Sequence, residues 1–247
     1  MKIGFQTSAY NGLTLLQELT FAKEHGADFF DVFFDGFMPW DITDEEFALI
    51  KSMRADGFGF SVHLPINIDK CSAAELAELA GFVKIVKPVT TTVHFDKLNW
   101  NLLEKLVAGF SSCTRLCIEN TIPDKNPALS CDYFSFMVQA CKNYPVAATF
   151  DTGHCNVNLF ARGKSSRGNI AGFAQKLIEN GVLIATVHNH DNFGTKDEHK
   201  YIGAGNINFE GFYKVLKNAG QTPLLVIEHW GDNEKSFNAL KNLVQFA

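Results

Sequence analysis

Short runs of apolar, β-branched and aromatic residues recur along the chain, separated by segments of mixed polarity. Runs of this kind, apolar throughout rather than alternating, indicate strands that are buried on both faces. We predict eight of them, at Lys2 to Thr7, Asp28 to Phe34, Gly57 to His63, Thr90 to Phe95, Arg115 to Asn120, Val146 to Asp151, Val182 to His188 and Pro223 to Glu228.

The segments between these runs have apolar residues at helical spacing. We predict helices at Leu13 to His25, Thr43 to Ala55, Ala73 to Val86, Asn101 to Phe110, Asp132 to Asn143, Ile170 to Asn180, Phe209 to Ala219 and Glu234 to Phe246. Thr43 followed three residues later by Glu46 is a capping box, which marks the start of the second helix. Glycine or proline separates helix from strand, as at Gly26, Pro88 and Gly181.

The alternation repeats about every 30 residues, which is the length that a right-handed parallel crossover requires. Eight such units fill the 247 residues, and roughly 250 residues is the usual size of a (β/α)8 barrel. We therefore predict an α/β fold, a (β/α)8 TIM barrel in a single domain over residues 1–247. The alternative is an open doubly wound sheet, which gives no reason for eight evenly spaced units.

The charge and the cysteines indicate which partners and which cellular compartment to expect. The formal net charge is -5, which argues against nucleic acid as a partner. The six cysteines are scattered without a CxxC pair, so we interpret them as reduced thiols of an intracellular protein. The N-terminal segment lacks a signal-peptide pattern and no apolar run is long enough to cross a bilayer. We expect a cytoplasmic protein without membrane contact. The sequence is compatible with a homo-oligomer but does not determine the oligomeric state.

The residues that close the predicted strands carry the chemistry, because the carboxyl ends of barrel strands build the active-site face. From the third strand to the eighth, each ends in histidine, aspartate or glutamate: His63, His94, Glu119, Asp151, His188 and Glu228. His154, Asp197 and His199 follow in the loops. Burying so many titratable groups costs several kcal/mol each unless they are partnered. Imidazole and carboxylate are ligands that divalent cations prefer, so we predict a metal site here. Asp151 has the alternative of capping a helix.

Several segments together resemble a known family. They are SVHLPIN, TVHFD, CIENT, FDTGH, HNHDNFGTKDEHKYIGAGNINF and LLVIEHW. They are similar to the xylose isomerase-like TIM barrel superfamily, which contains sugar and sugar phosphate isomerases and epimerases, inosose dehydratases and AP endonucleases of family 2. The resemblance covers nearly the whole chain, and the long segment after His188 is its most specific part.

The resemblance implies two ligand sets. In the epimerase and isomerase branch, one ion is held at the positions of Glu119, Asp151, His188 and Glu228. In the endonuclease branch, a trinuclear zinc cluster also uses the positions of His63, His94, His154, Asp197 and His199. All nine positions are filled here, so the ligands do not separate the branches. We expect one divalent ion (Mn, Zn, Mg or Co), with up to three as the alternative.

Three departures from the nuclease pattern favour the sugar-active branch. The chain has DTGH where the nucleases have DTCH, and the region after His63 is short and lacks their DNA-contacting aromatic residue. The loop from 188 to 205 has the length and acidity of the sugar-active members.

The resemblance therefore implies a metal-dependent isomerase or epimerase acting on a sugar, a sugar phosphate or a related polyol. Glu119 and Glu228 would exchange protons on opposite faces of the substrate through a cis-enediolate, with His188 positioning the metal. The predicted substrate contacts are Trp40, Asn120, Lys200 and Trp230. The alternatives are an endonuclease-IV-like zinc-dependent phosphodiester hydrolase and a catalytically silent metal-binding barrel.

Overall fold

The eight predicted strands are present, and they close into a barrel in which all neighbours are parallel. The computed structural model describes residues 1–7, 12–163, 169–228 and 233–246. The barrel strands are β1 Lys2–Gln6, β2 Phe29–Phe33, β3 Gly59–His63, β4 Thr90–His94, β5 Arg115–Glu119, β6 Val146–Asp151, β7 Ile184–Asn189 and β8 Leu224–Ile227. Each strand pairs with the next in the chain, and β8 pairs with β1. The predicted (β/α)8 barrel is confirmed.

Helices follow the strands and cover the outside of the barrel. In the described ranges they are α1 Leu15–Glu24, α2 Asp44–Ala55, α3 Ala73–Val86, α4 Trp100–Phe110, α5 Tyr133–Asn143, α6 Thr152–Ala161, α7 Asn169–Glu179, α8 Phe209–Asn218 and α9 Asn233–Phe246. The eight predicted helices are present with boundaries within two residues. Helix α6 and a small antiparallel ribbon, Lys125–Asn126 with Cys131–Asp132, were not predicted.

The predicted capping box at the start of α2 is confirmed. The Thr43 hydroxyl accepts from the Glu46 backbone N–H at 3.2 Å, and the Glu46 carboxylate accepts from the Thr43 backbone N–H at 2.9 Å. Both donors belong to a helix end that has no internal acceptors. The box therefore fixes where α2 begins.

The interior of the barrel changes from apolar to titratable along the strands. Near the amino ends, Phe29 packs with Leu224 and Val226 in a small cluster of its own. A layer of threonine pairs lies above it, with Thr92 bonded to Thr149 at 2.8 Å and Thr186 to Thr90 at 3.0 Å. The carboxyl ends above these threonines carry the histidines and carboxylates, so the floor of the site is held by hydrogen bonds between strands.

Two further findings concern membrane-spanning helices and the cysteines. None of the helices in the described ranges is both long and apolar enough to span a membrane. All six cysteines are free thiols.

Candidate metal centre

Glu119, the last residue of β5, lies at the centre of the cluster and is fully buried. Its Oε2 is 2.8 Å from His63 Nε2 and 3.5 Å from His94 Nε2. Its Oε1 is 3.3 Å from His188 Nδ1 and 3.5 Å from His154 Nδ1. Imidazoles from three strand ends and from the first turn of helix α6 thus surround one carboxylate.

Around Glu119 the titratable side chains form three groups. In each group the ligand atoms all lie within 4.8 Å of one another. We name them the His63 group (His63, His94, Glu119), the Glu228 group (Glu119, Asp151, His188, Glu228) and the loop group (His154, His190, Asp197, His199). The structure brings all nine residues proposed from sequence into these groups, and Glu119 belongs to two of them.

Several buried polar atoms in these groups have no hydrogen-bond partner. They include Glu119 Oε1, both ring nitrogens of His188, Asp197 Oδ1 and Glu228 Oε2. Glu228 Oε2 lies 2.9 Å from His188 Nδ1, which is an ion-pair contact with poor hydrogen-bond alignment. Buried groups left unpaired are costly, and a cation placed among them would engage their lone pairs. The donor set of imidazoles and carboxylates therefore fits divalent cations.

Carboxylates control the charge of two histidines in the cluster. Burial by itself lowers the pKa of His188, but Glu119 and Glu228 outweigh it and hold that pKa well above its usual 6.5. Burial also lowers the pKa of His154, and Asp151, Asp197 and Glu119 again outweigh it. Without a cation, both imidazoles are therefore positively charged near neutral pH.

His94 and Glu228 behave differently from these two. Burial lowers the pKa of His94 to about 4, because Glu119 only partly offsets the loss of solvent. Burial raises the pKa of Glu228, but His188 outweighs it and lowers that pKa to about 2. His94 is therefore neutral and Glu228 ionised at pH 7, which are the forms that bind a metal.

Asp151 caps a helix, which is one of the two roles considered for it from sequence, and it also lies among the candidate ligands. Its Oδ1 accepts from the His154 backbone N–H at 2.6 Å and caps helix α6, while its carboxylate also belongs to the Glu228 group. Asn120 fixes the backbone of Asp151, donating to its carbonyl and accepting from its N–H, both at 2.9 Å. Both ends of the Asn120 amide are thus engaged in joining the end of β5 to β6.

His190 belongs to the loop group and was not predicted from the sequence. It directly follows β7, is fully buried, and places Nε2 3.1 Å from both oxygens of Asp151. Its ring is stacked on that of His199, with centroids 3.8 Å apart and planes 2° from parallel. The sequence did contain a signal, because His190 stands two residues after His188 and residues at this spacing in extended backbone point to the same side.

Asp191 holds the loop that carries Asp197 and His199. Its fully buried carboxylate accepts backbone N–H bonds from Asn192 at 2.9 Å and Gly203 at 3.0 Å. Gly205 and Ile207 donate as well, at 2.9 and 3.2 Å. Four amides around one carboxylate fix the loop. This arrangement was not predicted from any motif in the sequence.

A cavity of about 570 Å³ opens above the cluster. Its floor includes His94, His154, Asp197, His199 and Glu228. Its walls combine apolar side chains, among them Phe33, Phe37 and Ile66, with four carboxylates, Glu18, Asp35, Asp41 and Glu46. Among the described residues that line it there is no lysine or arginine.

The predicted substrate contacts that fall within the described residues, Trp40, Asn120 and Lys200, do not line this cavity. Trp40 is half exposed on a 3-10 turn and is not among the lining residues. Lys200 pairs with Glu198 at 3.4 Å and does not line the cavity either. Trp230 lies outside the described residues.

The barrel topology agrees with a match between this sequence and a known family. Residues 99–246 match the family model described as xylose isomerase-like TIM barrel, and the chain belongs to this family. The resemblance inferred from the sequence motifs is thereby confirmed.

Solved structures of similar fold include both branches. A D-tagatose 3-epimerase-like protein superposes with a TM-score of 0.77 at 22% identity, covering 99% of this chain and 97% of that one. D-psicose 3-epimerase, crystallised in the presence of D-fructose, gives 0.73 at 15% identity, with 100% of both chains covered. Endonuclease IV from Thermus thermophilus gives 0.71 at 16% identity, again covering 100% of both. At these identities the likeness concerns the fold.

A relative in sequence is the uncharacterized protein MJ1311 of Methanocaldococcus jannaschii. It is 40% identical over 99 residues, which are 39% of this chain. The match spans 31% of that protein's length, so it supports kinship of a segment.

Proposed function

We propose that the protein is a metal-dependent isomerase or epimerase of an uncharged sugar or related polyol. The observation that carries this proposal is the cavity of about 570 Å³, which has the size of a small-molecule site. Its carboxylate-bearing walls, without lysine or arginine among the described lining residues, would repel a phosphorylated substrate. The names of two structural neighbours, both sugar epimerases or similar to one, give further support.

The Glu228 group would hold the cation that the reaction needs. A divalent ion bound by Glu119, Asp151, His188 and Glu228 would polarise a carbonyl and a neighbouring hydroxyl, and so acidify the adjoining C–H bond. His188 and Asp151 are fully buried and fixed to the barrel wall. We assign these two to holding the ion.

Of the two glutamates, Glu228 is placed to exchange protons with a substrate. It lines the cavity and its side chain is 13% exposed. Its pKa, lowered to about 2 because His188 outweighs burial, keeps it ionised at neutral pH, which is the protonation state that a general base requires. Glu119 is enclosed by imidazoles and fully buried, so we assign it to binding cations.

The test is exchange of carbon-bound hydrogen with solvent, which a proton-transfer isomerase or epimerase catalyses when the abstracted proton equilibrates with water. Metal-loaded protein is incubated in D₂O with a panel of ketoses and their phosphates, and deuterium uptake is followed by proton NMR. We expect exchange next to the carbonyl of an unphosphorylated ketose and little with its phosphate. Exchange confined to the phosphates would contradict the assignment of an uncharged substrate.

The variant Glu228→Gln separates proton transfer from folding. We expect exchange to fall by roughly 10³-fold or more, the upper part of the range for loss of a general base. The bound-metal content of the variant is measured in parallel, since Glu228 is also a proposed ligand. Unchanged exchange in this variant would remove Glu228 from the mechanism.

A second candidate is a phosphodiester hydrolase, favoured by the two groups beside the Glu228 group. With cations in the His63 group and the loop group as well, adjacent ions would stabilise attacking and leaving oxygens of a phosphodiester. Three tightly held zinc ions and cleavage of an abasic-site duplex, with no deuterium exchange on any sugar, would decide for this function. Binding of ions without either activity would leave a silent barrel.

A further inference from the structure

We infer that His190 is a positioning residue that holds Asp151 and His199 in place for cation binding, and that Gly153 provides the space for its ring. This rests on the proposed metal centre. His190 is the one member of the three groups that the family ligand pattern does not contain. It lies between a residue of the Glu228 group and a residue of the loop group, and so joins the two.

The contacts fix the direction of the His190 hydrogen bonds. Nε2 is 3.1 Å from each oxygen of Asp151, so Nε2 carries the proton and donates to the carboxylate. Asp151 Oδ1 also accepts from the His154 backbone N–H at 2.6 Å. Asp151 is therefore oriented from two sides, as metal ligands commonly are by their supporting partners.

The stacking of His190 on His199 argues against His190 as a ligand of the same ion. An imidazole nitrogen binds a metal in the plane of its ring, at about 2.0–2.1 Å. The two rings are 2° from parallel and their centroids are 3.8 Å apart. An ion in the plane of the His199 ring would lie farther from the plane of His190 than the length of a bond. An ion in the plane of the His199 ring would thus have His154, Asp197 and His199 as its ligands from the loop group, with the His190 ring stacked on His199 and its Nδ1 3.7 Å from Asp197 Oδ1.

Gly153 makes this arrangement possible. A Cβ atom at position 153 would lie 1.9 Å from Cε1 of the His190 ring and 2.4 Å from its Nδ1. The ring is fully buried, so it cannot give way by moving into solvent. The His190 imidazole therefore requires glycine at position 153 of the DTGH segment in this chain. The same glycine also distinguishes a branch of the family.

The first experiment compares cation binding by the wild-type chain, His190→Ala and His190→Gln. Purified proteins are stripped with chelator, titrated with Zn²⁺, and titrated with Co²⁺ while the visible absorption bands report ligand geometry. For His190→Ala we expect at least one ion to bind about 10- to 100-fold more weakly, the usual effect of losing a residue that supports a ligand. For His190→Gln we expect binding within a few-fold of wild type and similar Co²⁺ bands, because the glutamine amide places an N–H near the position of the imidazole Nε2.

If the wild type binds ions, the proposed metal centre stands, and either of two results would then overturn the inference. One is binding by His190→Ala equal to wild type. The other is a His190→Gln variant as weak as His190→Ala with the same altered Co²⁺ bands, which would make His190 a direct ligand. A wild-type chain that binds no ion would overturn this inference together with the metal centre.

The second experiment tests Gly153 with a matched control. We expect Gly153→Ala to weaken cation binding as much as His190→Ala does, because the added methyl group displaces the ring. Gly172→Ala in helix α7, where an added Cβ meets nothing within 4 Å, should bind like wild type. In the double variant Gly153→Ala/His190→Ala the methyl group has room, so the two losses should not add. Wild-type binding by Gly153→Ala, or fully additive losses, would contradict the inference.

Discussion

At the scale of single residues, Glu119 decides how the cluster is organised. It is the only carboxylate of the described residues that belongs to two ligand groups, and four imidazoles lie within 3.5 Å of its oxygens. Its pKa is well below the usual 4.5, because His188 and His94 outweigh the effect of burial. A carboxylate that stays ionised while buried is suited to bridging two cations.

We therefore expect Glu119→Gln to disturb two groups at once. Bound metal per chain should fall by more than in Glu228→Gln, and the affinity of the remaining ions should drop on the order of tenfold or more. Elemental analysis after dialysis against a weak chelator measures this. Glu179→Gln, on the outer helix α7, is the control and should retain the wild-type metal content. Equal losses in Glu119→Gln and Glu228→Gln would show that Glu119 serves one ion only.

The residues at strand ends were predictable, and their supports were not. His63, Glu119 and His188 close predicted strands, and a parallel barrel brings all strand ends to one face. His190 was not predicted because it follows the strand and no ligand pattern includes it. Its importance depends on Asp151 and Gly153, which precede it by 39 and 37 positions in the chain, and their proximity is a tertiary fact.

At the scale of elements, the loop after β7 is built around the buried carboxylate of Asp191. Hydrogen bonds to a charged group contribute more than neutral ones, and Asp191 accepts four from backbone N–H groups. The loop also pairs with itself through the backbones of Asp191 and Lys200. This segment therefore presents Asp197 and His199 on a fixed support.

We expect Asp191→Asn to loosen this loop, because the amide keeps one acceptor oxygen and introduces a donor among donors. The free energy of unfolding should fall by about 2–4 kcal/mol, measured by urea denaturation. Limited proteolysis should cut between 192 and 206 faster than in the wild type. Asp56→Asn, which removes an exposed partner of Lys23, should change stability by about 0.5 kcal/mol or less. Wild-type stability of Asp191→Asn would show that the backbone pairing alone holds the loop.

The amino end of the barrel depends on a different contact, between Gly4 in β1 and Phe29 in β2. A Cβ at position 4 would lie 2.5 Å from the Phe29 carbonyl oxygen and 2.8 Å from its ring. The ring fills the barrel interior at this level together with Leu224 and Val226. The glycine is therefore required for strand pairing beneath a bulky interior side chain.

We expect Gly4→Ala to destabilise the protein by about 1–3 kcal/mol, the usual effect of overpacking a core. Thermal and urea unfolding measure the change. Gly81→Ala, inside helix α3 with nothing within 4 Å of the added carbon, should be neutral or stabilising by about 1 kcal/mol. If Gly4→Ala is as stable as wild type, the Phe29 ring can move and the contact is not tight.

At the scale of the whole molecule, the barrel concentrates titratable groups in one place. Without cations, the positive charge on His188 and His154 is held by neighbouring carboxylates. With cations, those protons must leave, because a metal binds the neutral imidazole. Stability and metal affinity therefore depend on pH in opposite directions above neutrality.

We expect chelator-treated protein to lose stability as the pH rises from 6 to 8. The pKa values of His188 and His154 are raised above 6.5 by their carboxylate neighbours, which outweigh burial. Their contribution is thus complete below about pH 6.5 and is lost as the pH rises through the raised folded-state pKa values. Metal-loaded protein should become more stable relative to chelator-treated protein as the pH rises. The difference in Tm between the two samples should therefore widen with pH. Calorimetry at both pH values tests it, and a difference that stays constant or narrows would contradict it.

The barrel and the types of side chain that close six of its strands follow from the amino-acid sequence alone. Apolar runs such as Val146 to Asp151, capping residues such as Thr43, and the histidine or carboxylate at the predicted ends of strands three to eight are local features. Local features can be recognised from the order of residues along the chain. Helix α6 was not predicted because Asp151 ends a strand and at the same time caps the helix that follows, which leaves no loop between them.

Which side chains contact one another could be seen only in the folded barrel. The sharing of Glu119, the stacking of His190 on His199, the four amides around Asp191 and the carboxylates on the cavity wall all join residues that are distant in the chain or set by loop conformation. Such contacts depend on strand register, loop path and side-chain rotamers, and these are fixed by packing across the whole barrel rather than by any one segment.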